Sequence, residues 1–133
     1  MIKLKHICLL VGLLMATASC SDSLMSEDFV PGEVQLRVQN ISKFKLDEVV
    51  LQPGTPSVQT YLGLEPGQTS GYQPFEFTYA YGYVRTIIGT DTLTLQPIDY
   101  VGETRIYDGA YTFIIDVIGE ERPEYLVLDF QAD

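Results

Sequence analysis

The sequence predicts an all-β chain: an antiparallel β-sandwich of seven or eight short strands behind a leader and a tether. Three observations lead there. Apolar and polar residues alternate with period two over several short runs. Turn-forming Gly, Pro and Asp punctuate those runs at short intervals. No stretch keeps a helical period for more than two turns.

The first strand is "EVQLRVQN", where Val34, Leu36 and Val38 share one face and Gln35, Arg37 and Gln39 the other. "FKLDEVVLQ" follows with Phe44 and Leu46 inward, then resumes at Val49 and Leu51. That change of parity around Asp47 and Glu48 predicts a β-bulge. "PGTPS" is a turn, "VQTYL" a short strand and "EPG" another turn. "PFEFTYAYGYV", from Pro74 to Val84, reads as a long aromatic strand bent near Gly82. "YVRTII" and "TLTLQP" flank "GTD" as a hairpin, and "AYTFIIDVI" and "YLVLDFQ" flank "GEERPE" as a closing hairpin.

Strands of this number and spacing suit an immunoglobulin-like sandwich. In "YDGAYTF", Gly109 stands two residues before Tyr111 at the start of an apolar strand. That arrangement resembles the tyrosine corner of Greek-key sandwiches, in which the phenol bonds back to nearby backbone. The chain has no Trp, and its cysteines cannot supply the inter-sheet disulfide of antibody domains, so the match is to architecture alone.

The N-terminus reads as an address. Lys3, Lys5 and His6 precede "ICLLVGLLMA", an apolar run from Ile7 to Ala16. This run is too short for a membrane-spanning helix, which needs roughly twenty residues, and it suits the apolar region of a secretory signal. "TAS" and Cys20 then resemble a bacterial lipobox, with small Ala18 and Ser19 before the cut and Thr17 where Leu is commoner. The resemblance implies a signal over 1–19 and a lipidated Cys20. Cys8 leaves with the signal, so Cys20 is the one thiol remaining, and lipidation gives it a use. Several acyl chains on one residue anchor a protein stably without a spanning helix. Residues 20–32, acidic and broken by Pro31 and Gly32, form a tether, and 33–133 form the sandwich. Ser21 after Cys20, in place of Asp, argues against inner-membrane retention and for the outer membrane. Asp22 adds a weak acidic export signal toward the cell surface. Which face of the outer membrane carries the domain is left open.

Composition excludes several function classes. Once the leader is removed, six basic residues (Arg37, Lys43, Lys45, Arg85, Arg105 and Arg122) face eighteen acidic ones, a formal charge of −12. Such a surface repels phosphate backbones, so no nucleic-acid partner is expected. The one histidine, His6, also leaves, taking with it the usual general base and the commonest metal ligand. With Cys20 acylated, thiolate chemistry is absent too. "GQTSG" places Thr69 between glycines in the manner of a nucleophile elbow, but no His and no helix accompany it, and it reads as a turn. Paired carboxylates drawn from Asp99, Glu103 and Asp108 are the chance pairs an acidic surface supplies on a domain too small for much of a cleft, and calcium held by Asp91, Asp99 and Asp108 lacks a supporting spacing. Neither an enzyme nor a cofactor or metal is expected.

"LEPGQTSGYQPF", "YAYGYV" and "PIDYVGE" ahead of the "GAYTF" strand are similar to the small immunoglobulin-like lipoproteins of Bacteroidota. The resemblance covers most of residues 33–133 and implies a location and a fold. Within such an envelope, "DSL" at Ser23 and "DTL" at Thr92 resemble the acceptor motif for O-glycosylation. "NIS" at Asn40 is a sequon by letter only.

The aromatic row remains. Phe75, Phe77, Tyr79, Tyr81 and Tyr83 occupy alternate positions and would share one face of a straight strand about 26 Å long, at 3.3 Å per residue. A small sandwich is scarcely longer, so some rings must leave the core. Phe75 and Phe77 are expected in the core and Tyr79 mostly buried, with Tyr81 and Tyr83 at the edge. Ala80 and Gly82 are small enough for another backbone to approach. Tyr79, Tyr81 and Tyr83 thus form a candidate ligand strip, whose rings could stack on sugars beside carboxylates that accept hydroxyl hydrogens. The expected function is a lipid-anchored, non-catalytic envelope module that binds or assembles with an envelope protein. Carbohydrate binding through the tyrosines is the alternative.

Overall fold

A computed structural model describes residues 33–54 and 56–133. The leader over 1–19, Cys20, the tether over 20–32 and Ser23 lie outside the described residues. Eight strands run in order as β1 (Val34–Asn40), β2 (Leu46–Gln52), β3 (Gln59–Leu64), β4 (Gln73–Phe75), β5 (Tyr83–Ile88), β6 (Asp91–Leu95), β7 (Ala110–Ile118) and β8 (Tyr125–Ala132). They form two four-stranded sheets, ordered β4-β1-β7-β8 and β3-β2-β5-β6. The protein is a β-sandwich. Among the described residues there is no helix long and apolar enough to cross a membrane.

Period-two alternation places one face of each sheet in the core. Val34, Leu36 and Val38 of β1 and Phe113, Ile115 and Val117 of β7 meet Val49 and Leu51 of β2 and Val84 and Ile88 of β5. Tyr61 of β3 is buried among them, and its hydroxyl donates to the Leu36 carbonyl across the sandwich at 2.7 Å. Burial pushes its phenol well above the ordinary value. Both predicted hairpins are present, β5–β6 closing at Gly89-Thr90 and β7–β8 pairing from Ile118↔Tyr125 to Tyr111↔Ala132.

Three expectations need correction. The sandwich is not wholly antiparallel, because β1 lies parallel to β7 from Gln35↔Ala110 to Asn40↔Ile115. The connection after β6 returns to the first sheet at the end where β1 began, so both strands start there and run the same way.

The parity change in β2 involves no inserted residue. Leu46↔Leu64 and Val49↔Tyr61 keep a one-to-one register across it. All four are buried, so both strands change faces together, and Gly63 sits between them at φ 65°. Only glycine adopts that left-handed conformation without strain.

The aromatic row is not one strand. β4 stops at Phe75 and β5 begins at Tyr83, and the segment between them crosses from one sheet to the other. Thr78 and Tyr79 are buried in succession, which breaks the alternation.

The connections fall at two ends. Segments 41–45, 65–72, 89–90 and 119–124 lie at the far end. Residues 53–54 and 56–58 and segments 76–82 and 96–109 lie at the near end, where Glu33 enters and Asp133 leaves.

Candidate functional site

The near end gathers the rings. The backbones of Thr78 and Ile106 bond to each other both ways, at 2.9 and 2.8 Å, tying segment 76–82 to segment 96–109. Tyr79 donates its N–H to the Pro53 carbonyl at 3.2 Å, which brings in the third connection. Its ring stacks on Tyr100, with centroids 4.4 Å apart, and meets Phe77 edge-on at 5.7 Å. Phe77 in turn faces Tyr107 at 5.8 Å.

Arg105 closes the cluster. Its guanidinium lies 4.7 Å from the Phe77 ring centroid, and its Nε donates to the Tyr79 hydroxyl at 3.1 Å. Hydrogen bonds to the Tyr79 and Tyr107 phenols hold it still further on the charged side. Burial raises Tyr100, partly offset by a hydrogen bond to the Tyr83 backbone.

Glycines permit this packing. A Cβ on Gly54, where φ is 84°, would run into the Tyr79 ring. A Cβ on Gly82 would stand 2.6 Å from Pro53 Cα, so another backbone does approach there.

The structure separates the predicted strip. Tyr79 is 8% exposed and Tyr81 37% exposed, while Tyr83 is half-buried opposite Gln52 in β2. Phe75 is a core residue. Phe77 is not: it is half-buried outside the core, under Arg105, because the chain has already left the first sheet. What Tyr83 shares with Tyr100 is an open cleft of about 390 Å³, lined also by Gln52, Gly54, Gln96 and Pro97.

The other candidates are dispersed. Asp91 binds Arg122 at 2.9 Å, and Asp99 accepts the Val101 N–H at 3.1 Å within its own turn. Among the described residues, no three of His, Cys, Asp or Glu gather into a metal-holding group. Thr92 is exposed on β6. Asn40 is fully buried, its amide donating to the carbonyls of Phe44 and Leu64 and accepting from Ser42. The Tyr111 phenol lies over Gly109, and its ring stacks on Phe130 at 5.0 Å. No hydrogen bond takes that phenol back to backbone among the described residues, so the tyrosine-corner expectation fails in detail.

Sequence reading missed Tyr100, Arg105 and Tyr107. Their one available signal was a lone cation within a tyrosine-bearing connection.

A second surface lies on the outer face of the first sheet, toward the far end. Ile118 is paired with Tyr125, and Val127 with Asp116. Ile41 donates its N–H to the Ile115 carbonyl at 3.0 Å, which sets it beside them. Ile41, Tyr125 and Val127 are exposed, and Ile118 is half-buried. No known family model matches the chain, and neither a curated protein nor a solved structure matches it.

Proposed function

We propose that this chain is a lipid-anchored, non-catalytic module of the bacterial outer membrane that assembles with a larger envelope protein. One observation carries the reading: Ile41, Ile118, Tyr125 and Val127 lie outward around the single carboxylate of Asp116, at the end of the sandwich away from the tether. A partner held there would cover side chains that water solvates poorly. An immunoglobulin-like domain, presented at the end of a tether by lipid on Cys20, suits such a role.

Photo-crosslinking in intact cells tests it, with a crosslinking residue at position 125 of the full chain. The expected product is one discrete adduct with an envelope protein, lost in an Ile118→Ser, Val127→Ser double variant. An adduct that survives that variant, or none at all, rejects the reading.

Carbohydrate binding has one observation in its favour, the open cleft lined by Tyr83, Tyr100, Gln52 and Gln96. A glycan array compared between wild type and Gln52→Ala would separate the two readings. Binding that Gln52→Ala abolishes supports the sugar site.

A further inference from the structure

The near end holds the two most exposed aliphatic side chains among the described residues. Ile98 is 99% exposed and Val101 87% exposed, both in the 96–109 connection. Neither packs against the core. The connection is instead held by Tyr100 stacked on Tyr79, by the Thr78–Ile106 pair, and by a turn in which Glu103 donates its N–H to the Tyr100 carbonyl at 3.0 Å. Tyr107 of the same connection and Tyr81 of segment 76–82 are also exposed at this end.

The position of this connection gives it meaning. Gln35 donates its N–H to the Gly109 carbonyl at 2.9 Å, so the chain enters the fold directly beside it. Cys20 lies thirteen residues before Glu33. At 3.3–3.6 Å per residue, that segment reaches at most about 45 Å.

We propose that this end rests on the bilayer that holds the anchor, with Ile98 and Val101 in the interfacial zone and the phenols of Tyr81 and Tyr107 at headgroup depth. The inference rests on the lipid-anchor reading of Cys20. Two aliphatic side chains would not recruit a free protein, but a short tether holds the domain at roughly millimolar effective concentration. Tyrosine suits a boundary with one apolar and one wet side. Charge selects the lipid. Segments 76–82 and 96–109 carry Glu76, Asp99, Glu103 and Asp108 against Arg105, so an uncharged headgroup surface is favoured over an anionic one.

The absence of Trp makes a clean test possible. Residues 20–133 contain every described strand and the whole core, and Cys20 is their one cysteine, so they can be coupled to a maleimide lipid in phosphatidylcholine vesicles with brominated chains. Ile98→Trp is expected to emit at shorter wavelength and to be quenched. Leu62→Trp, exposed on β3 toward the far end, should be neither. Replacing a third of the lipid with phosphatidylglycerol should reduce the quenching.

Equal quenching of both reporters, or of neither, overturns the proposal. So does a blue shift of Ile98→Trp that needs no vesicles and grows with protein concentration, which would assign this end to a second copy. The anchor itself is read separately, from the mass of the full chain purified from bacterial membranes. An unmodified Cys20 there rejects lipidation without altering what the vesicles report.

Discussion

At both ends of the sandwich the chain must cross between sheets, and the two ends close the exposed backbone by different chemistry. At the far end one buried amide does it, with Asn40 bonded to Phe44, Leu64 and Ser42, and the Ser42 hydroxyl donating to the same Asn40 oxygen at 2.6 Å. At the near end the closure is aromatic, through Tyr79, Tyr100, Phe77 and Arg105. Hydrogen bonds have narrow geometric tolerance, and a buried amide left unpaired is costly. Stacked rings tolerate sliding and can leave one edge in water. The far crossing is therefore the stricter of the two, and the near one is free to present side chains outward.

Substitutions at the two crossings test this contrast. Asn40→Ala should have the largest effect. It removes the amide from the Leu64 carbonyl and the acceptor from the Ser42 N–H, leaving the Phe44 carbonyl only its bond from the Ser42 hydroxyl, a loss of about 3 kcal/mol for groups this buried. Urea unfolding followed by circular dichroism would measure it, and a loss below ~1 kcal/mol would remove the distinction between the ends.

Gly54→Ala should follow at about 2 kcal/mol, because it adds a methyl against the Tyr79 ring at a left-handed position. Its signature is a changed near-ultraviolet tyrosine signal, since the Tyr79–Tyr100 stack must shift.

Tyr61→Phe belongs to neither end and calibrates both. Losing the hydroxyl bond to Leu36 should cost about 1 kcal/mol and leave the near-ultraviolet signal of the stack unchanged.

The smallest effect concerns pH. Burial alone would raise the Asp133 carboxyl. Hydrogen bonds from Thr112 and Tyr72 and the charge of Arg37 outweigh that and hold it below its ordinary value. A carboxyl depressed in the folded state stabilises the fold above its unfolded pKa, and that increment is lost as pH falls through the folded one. Stability should therefore drop on acidification below ~pH 5 by slightly more in wild type than in Asp133→Asn, read from thermal midpoints.

Much of the fold was legible because the signals were local. Alternation in β1, β5 and β7, and the turns at Gly89-Thr90 and 119–124, need only a few neighbouring residues. The aromatic row misled for the same reason. Its period of two is a strand signal, yet the chain turns across the sandwich after Phe75. What diverts it is distant: Ile106 pairing with Thr78, and Pro53 pressing on Gly82. Gly82 and Ala80 hinted at a close approach without naming the partner. The shared change of faces in β2 and β3 is similar. One strand showed it, but its explanation needs Gly63 on the other. Arg105 and Tyr100 acquire meaning only through contacts with Tyr79, more than twenty positions away.

The parallel pairing of β1 with β7 has a mechanical consequence. β1 is the first strand after Glu33, and it lies inside its sheet between β4 and β7. A pull on Glu33 against a hold at the far end is directed along β1, so its bonds to both neighbours are sheared together. A pull between Glu33 and Asp133, which leave at the same end, opens the sheet from that end a few bonds at a time. Single-molecule stretching between position 33 and position 121 should therefore need a higher rupture force than stretching between 33 and 133. Tension applied at position 33 against the far end meets the sandwich in its stronger direction.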